Sequence, residues 1–220
     1  SLVFMLIGLS YCQTGIEHEE ELTANKKQNK RSVHSNLIQI YGNTVRFPFS
    51  VWQEKEFNNH KTIFNTFRDE KNGFFIFEII PTNETFEAWT KIYAIVGYHL
   101  GKQDLTVLDI ANMSKLSFKR GCTVYHSALH KFIDKEKKSI INMHVCEQIK
   151  GTNTGEIYLG YFTISRGVVI NVYHEWKGKP LKNNDPSTWP VSQREIDIMK
   201  KRLNSIDIYP AGNIQQSTLK

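Results

Sequence analysis

The side chains with the most chemical potential gather late in the chain. Tyr173, His174, Glu175 and Trp176 are consecutive, and Trp189 follows across a loop rich in Asn and Pro. Polar and aromatic residues at a strand end beside a long loop are what a recognition groove uses, because a rigid sheet holds such loops in place. Tyr173, His174, Trp176 and Trp189 are therefore the binding residues expected from sequence. The competing expectation is a sheet rim with both indoles packed under the loop. The alternative function, an extracytoplasmic hydrolase, has its site at this same strand end and the 177–190 loop.

Nucleophilic catalysis needs a nucleophile beside an oriented base. The sequence has no Gly-x-Ser-x-Gly elbow, and spacing singles out no Ser, His and Asp trio, so no catalytic residue is assigned. His126, His130 and His144 fall in adjacent expected strands. Two histidines at i and i+4 on one strand share a face but stand roughly 13 Å apart, too far for one metal ion. His144 falls on the other face, so no metal site is expected. There is no phosphate-binding glycine loop and no calcium-loop spacing, and no cofactor is expected. Glu84 and Glu87 read as carboxylates favouring a helix start rather than as an acid–base pair.

The chain has three cysteines. Residues 2–9, Leu-Val-Phe-Met-Leu-Ile-Gly-Leu, are too short to span a bilayer and have the length of a signal-peptide core. Cleavage after Ser10 or Cys12 would export the protein, to a periplasm or beyond. Leu9-Ser-Tyr-Cys12 offers the alternative of a lipid anchor on Cys12. Cys122 and Cys146 would then remain as an even pair in an oxidising compartment. Facing 133 with 138 across a turn puts Cys122 opposite residue 149, three positions from Cys146. That odd offset sends the two side chains to opposite faces unless a bulge intervenes. A disulfide and a pair of buried thiols both stay open.

The formal charge is +6, with 28 Lys and Arg against 22 Asp and Glu. A moderate basic balance suits an anionic surface or simple solubility. Lys26, Lys27, Lys30 and Arg31 form a basic run in a polar stretch, and weak contact of this arm with an anionic surface is a third reading. The run is not interleaved with aromatics, so it gives no clear nucleic-acid signature.

The elements that must position these residues follow from periodicity. Short strands are expected at 37–41 and 44–49, then a hairpin of 62–68 and 74–80 around Asn72-Gly73, whose residues tolerate positive φ. A short helix is expected at 84–90 and a strand at 91–100. Asp104 is expected to cap a helix, with Leu105, Leu108, Met113 and Leu116 repeating near helical spacing and Gly121 ending it. Four antiparallel strands follow at 123–132, 139–149, 156–164 and 168–176. Ser192 caps a last helix with Ile196, Met199 and Leu203 on its apolar face, and Glu195 completes a capping box. Pro210 stops it. The expected organisation is an apolar leader at 1–12, a charged linker at 13–35, one α+β domain at 36–209 and a disordered tail at 210–220. The domain is a mainly antiparallel sheet of about six to seven strands packed with helices.

This order of elements, with Asn-Glu-Thr-Phe-Glu-Ala-Trp-Thr at 83–90 and the Asp104-Leu-Thr106 helix entry, resembles the PsbP/Mog1-like α/β/α sandwich. It is closer still to small exported bacterial proteins of that build with no assigned activity. The resemblance implies a non-enzymatic accessory role, with another protein or a cell-envelope component as partner, and transfers no catalytic residue.

Overall fold

The computed structural model describes residues 34–59, 64–130 and 138–212. The apolar leader, nearly all of the linker, residues 134–137 of the turn between the expected strands 123–132 and 139–149, and most of the tail lie outside them. His34 and Ser35 already belong to the fold. His34 Nδ1 lies 2.8 Å from Glu54 Oε1, and Ser35 opens the first strand.

Two antiparallel sheets form the frame. β1 (Ser35–Ile40), β2 (Asn43–Pro48) and β10 (Asp207–Pro210) make the smaller, in the order β1-β2-β10. The larger has seven strands: β3 (Asn65–Lys71), β4 (Phe74–Ile80), β5 (Lys91–His99), β6 (Tyr125–His130), β7 (Ile140–Cys146), β8 (Gly155–Ser165) and β9 (Val168–Gly178). Their spatial order is β3-β4-β5-β9-β8-β7-β6, so the last strand of the meander returns to pair with β5. Asn72 and Gly73 turn the β3–β4 hairpin at φ 54° and 77°, as their tolerance of the left-handed region requires. The α+β class read from sequence is the observed one.

Among the described residues three α-helices cover the large sheet: α1 (Val51–Asn58), α2 (Val107–Gly121) and α3 (Gln193–Leu203). Residues of one face alternate with those of the other along each strand. Val168, Ile170, Val172, His174 and Trp176 of β9 point to the main core, where Phe47, Trp52, Ile196, Met199 and Leu203 meet them. Val169, with Tyr158 and Phe162 of β8, points the other way, under Val107, Ile110 and Ala111 of α2.

Four expectations need correction. Residues 84–90 form turns, not a helix. The Glu84 carboxylate accepts from the Thr90 amide at 2.7 Å, a side-chain bond that competes with helical pairing. Phe86 and Trp89 instead pack on Ile80, Ile92 and Ala94. α2 is capped by Thr106, not Asp104, in a reciprocal box with Asp109. That phase buries Val107, Ile110 and Ala111 and leaves Leu108, Met113 and Leu116 at 40, 54 and 53% exposure. α1 went unread, although Ser50-Val-Trp-Gln53 has the spacing of the capping box that starts it. β10 was also unread, and Pro210 closes it as the last residue of an edge strand, where a missing N–H is tolerated.

Cys122 and Cys146 are bonded, with Cα atoms 5.5 Å apart. Cys122 does lie opposite Ile149, and Cys146 opposite Tyr125. The parity argument fails locally because Cys122 is the C-cap of α2 rather than part of a regular strand. Both chains bend between the paired positions.

Candidate functional site

The four residues singled out from sequence do not share a surface. His174 is fully buried, stacked on Trp176 with ring centroids 3.9 Å apart and on Tyr93 at 5.5 Å. Its Nε2 accepts from the Trp52 indole at 2.9 Å. Burial pushes the imidazole down to about 3, with Lys91 adding to the effect, so it is neutral in the physiological range. Trp176 is also in the core and donates to Glu195 Oε1 at 3.3 Å. Trp189 is half-buried and donates to the Lys182 carbonyl at 2.8 Å, packing the 177–190 loop against the same core. Tyr173 faces the opposite side of the sheet, where it stacks on Tyr158 at 5.3 Å.

That opposite face holds a polar chain that sequence spacing did not reveal. Tyr158 donates to Asn171 Oδ1 at 3.0 Å. Ser114 of α2 hydrogen-bonds Tyr158 and lies 3.2 Å from His144 Nε2. His144 Nδ1 lies 2.7 Å from the Tyr125 hydroxyl, which Ser127 hydrogen-bonds in turn. Ser114 and Tyr125 can each donate or accept according to the His144 tautomer.

His144 is 1% exposed and stacked between Phe118 and Tyr158. Burial, with Lys115 nearby, pushes it down to about 4. A cavity of about 50 Å³ beside it is lined by Ala111, Asn112, Lys115, Ser127, Asn142 and His144. The chain ties α2 to the sheet through satisfied hydrogen bonds, and the Cys122–Cys146 bond ties down the helix end.

His126 and His144 lie on opposite faces of the β6–β7 pair, since His126 faces Val145 and Ser127 faces His144. His126 Nε2 is 3.0 Å from Glu147 Oε1. Among the described residues no three His, Cys, Asp or Glu side chains converge as metal ligands. A shallow groove of about 400 Å³ runs between the end of β8 and β10. Tyr161, Thr163 and Asp207, which line it, are already engaged in contacts.

α2 also presents apolar side chains outward. Leu108, Met113 and Leu116 are large, apolar and 40–54% exposed on a helix held at both ends and in the middle. Lys115, Lys119 and Arg120 flank them. The assembly is thus an α+β domain whose second helix is fixed from beneath and bare above.

No protein-family model matches the chain. It is 24% identical over 189 residues to the DEAD-box ATP-dependent RNA helicase 29 of Oryza sativa subsp. indica, a match covering 79% of this chain. The chain spans about a fifth of that relative's length, at 21%. Among solved structures it is similar to the Saccharomyces cerevisiae Ran-binding protein Mog1p, with 9% identity over 80% of this chain and 96% of that one, at a TM-score of 0.47. A point mutant of protein Mog1 gives 10% identity, 79% and 95% coverage, and a TM-score of 0.46.

Proposed function

We propose that this chain is an exported, non-enzymatic interaction domain that docks a protein partner through the outward face of α2. One observation carries the reading: Met113 and Leu116 stand exposed side by side on the outward stripe of a single immobilised helix. Large apolar side chains grouped on one surface mark interaction sites in soluble domains. A helix already locked in place loses little freedom when it binds, which favours affinity. The stripe is anionic at Asp109 and cationic at Lys119 and Arg120, which fits a partner that is apolar at its centre and of opposite charge at each end.

Export is supported by the Cys122–Cys146 bond, which belongs in an oxidising compartment, and by the apolar 2–9 segment. Periplasmic or secreted location, and the lipid-anchored alternative through Cys12, would be separated by the intact mass of the mature protein. A mass beginning near Tyr11 or Gln13 means cleavage, an added lipid mass means anchoring, and an uncleaved chain removes the export reading.

The docking face is tested by a photo-crosslinking residue placed at Leu116 and, as a control, at exposed Asp69 of β3. Protein adducts at 116 and none at 69 are expected in the source cells. Equal yields at both positions, or none at either, would contradict the docking reading.

A further inference from the structure

The outward face of α2 has an internal order that names its partner. Around the helix, Asp109, Met113, Leu116 and Arg120 share one stripe opposite the buried Val107, Ile110 and Ala111. Their spacing is i, i+4, i+7, i+11, the seam of two helices packed side by side. The stripe reads acidic, apolar, apolar, basic. Laid antiparallel on a copy of itself, it places Asp109 opposite Arg120, Met113 opposite Leu116, and the reverse pairs by symmetry. A two-fold interface needs this self-complementarity, in which residue i meets j and j meets i.

Local chemistry prepares each end. Thr106 gives two hydrogen bonds to Asp109 Oδ2, one from its amide and one from its hydroxyl. These bonds hold that carboxyl below the usual range, so Asp109 is anionic in neutral solution. Arg120 lies in the last turn, where a cation suits the helix end. In a parallel arrangement like charges would face each other and oppose pairing.

We infer that α2 docks a second copy of this chain, giving a weak antiparallel homodimer about a two-fold axis between Ser114 and Lys115. This rests on the docking face proposed above and names its partner. The seam spans only about 17 Å of helix, short of the roughly 800 Å² per partner that stable complexes bury. Dissociation constants of about 10–100 μM are therefore expected.

Sedimentation equilibrium of the full chain, from about 5 to about 500 μM, brackets that range. The wild type should shift from monomer toward dimer. Leu116→Asp should weaken association by about tenfold or more, and Arg120→Glu by about threefold with an effect that shrinks in high salt. Both positions are exposed, and unchanged circular dichroism will establish that the variants fold. Register is read separately in a Cys12→Ser background. Met113→Cys chains mixed with Leu116→Cys chains should form a mixed disulfide dimer in preference to either chain with itself. A monomer at every concentration, or self-pairing of each cysteine variant, overturns the inference. If the chain is monomeric while position 116 crosslinks to a different protein, the second copy is excluded and the docking face stands. If neither occurs, both fall.

Discussion

At the scale of single residues, the two buried histidines make stability depend on pH. His144 titrates near 4 and His174 near 3 in the folded protein, against about 6.5 unfolded. Both are depressed, so the unfolded chain binds more protons. Their contribution is fully present above about pH 6.5 and is lost as pH falls toward the folded values. Glu78, Glu156 and Glu175 act in the opposite sense. Burial raises all three, so their contribution is greatest in acid and declines as pH rises through the raised values. Comparing His144→Gln with wild type isolates one term. Urea unfolding at pH 7 and pH 4 should show that the variant's pH-dependent loss is smaller by about 3 kcal/mol. Equal losses in both proteins would mean that His144 is not held neutral. Ser114→Ala, which breaks the polar chain at its centre, should cost about 1–2 kcal/mol in the same experiment.

At the scale of elements, the orientation of α2 governs everything built on it. Ile110→Ala removes a side chain 3% exposed and should cost about 2–5 kcal/mol. Met113→Gln should stay within about 0.5 kcal/mol because that side chain already meets solvent. The reverse ranking would invert the helix. Much of the frame was legible. α3 shows its Ser192 cap and its buried Ile196, Met199 and Leu203 directly in sequence, and Asn72-Gly73 marks its hairpin. The burial phase of α2 was not legible. Both faces carry apolar residues, and the repeat of Leu105, Leu108, Met113 and Leu116 drew the reading away from Val107, Ile110 and Ala111, which are the buried ones. The polar chain was hidden for a different reason. It joins Ser114, Tyr125, His144, Tyr158 and Asn171 from five elements, a convergence set by sheet order rather than local spacing. His174 and Trp176 were legible as a cluster, but nothing nearby in sequence showed that Trp52 and Tyr93 would enclose the histidine.

At the scale of the whole molecule, one sheet carries two unequal jobs. Its inner face, with α1, α3 and the small sheet, holds the main core. Its outer face, with α2, presents the exposed apolar stripe. The Cys122–Cys146 bond closes a separation of 24 residues, which in the chain-entropy account is worth about 3 kcal/mol. Chemical unfolding with and without reductant should show a difference of that order. A negligible difference would leave α2 held by its packing and polar chain alone.

The central claim is that the outward face of α2 serves recognition and not folding. The most direct measurement pairs two readouts on Met113→Gln: unfolding free energy, and adduct yield from a photo-crosslinker at position 116. The account expects stability within about 0.5 kcal/mol of wild type with most of the adduct lost. A stability loss above about 2 kcal/mol, or an undiminished adduct, would contradict it.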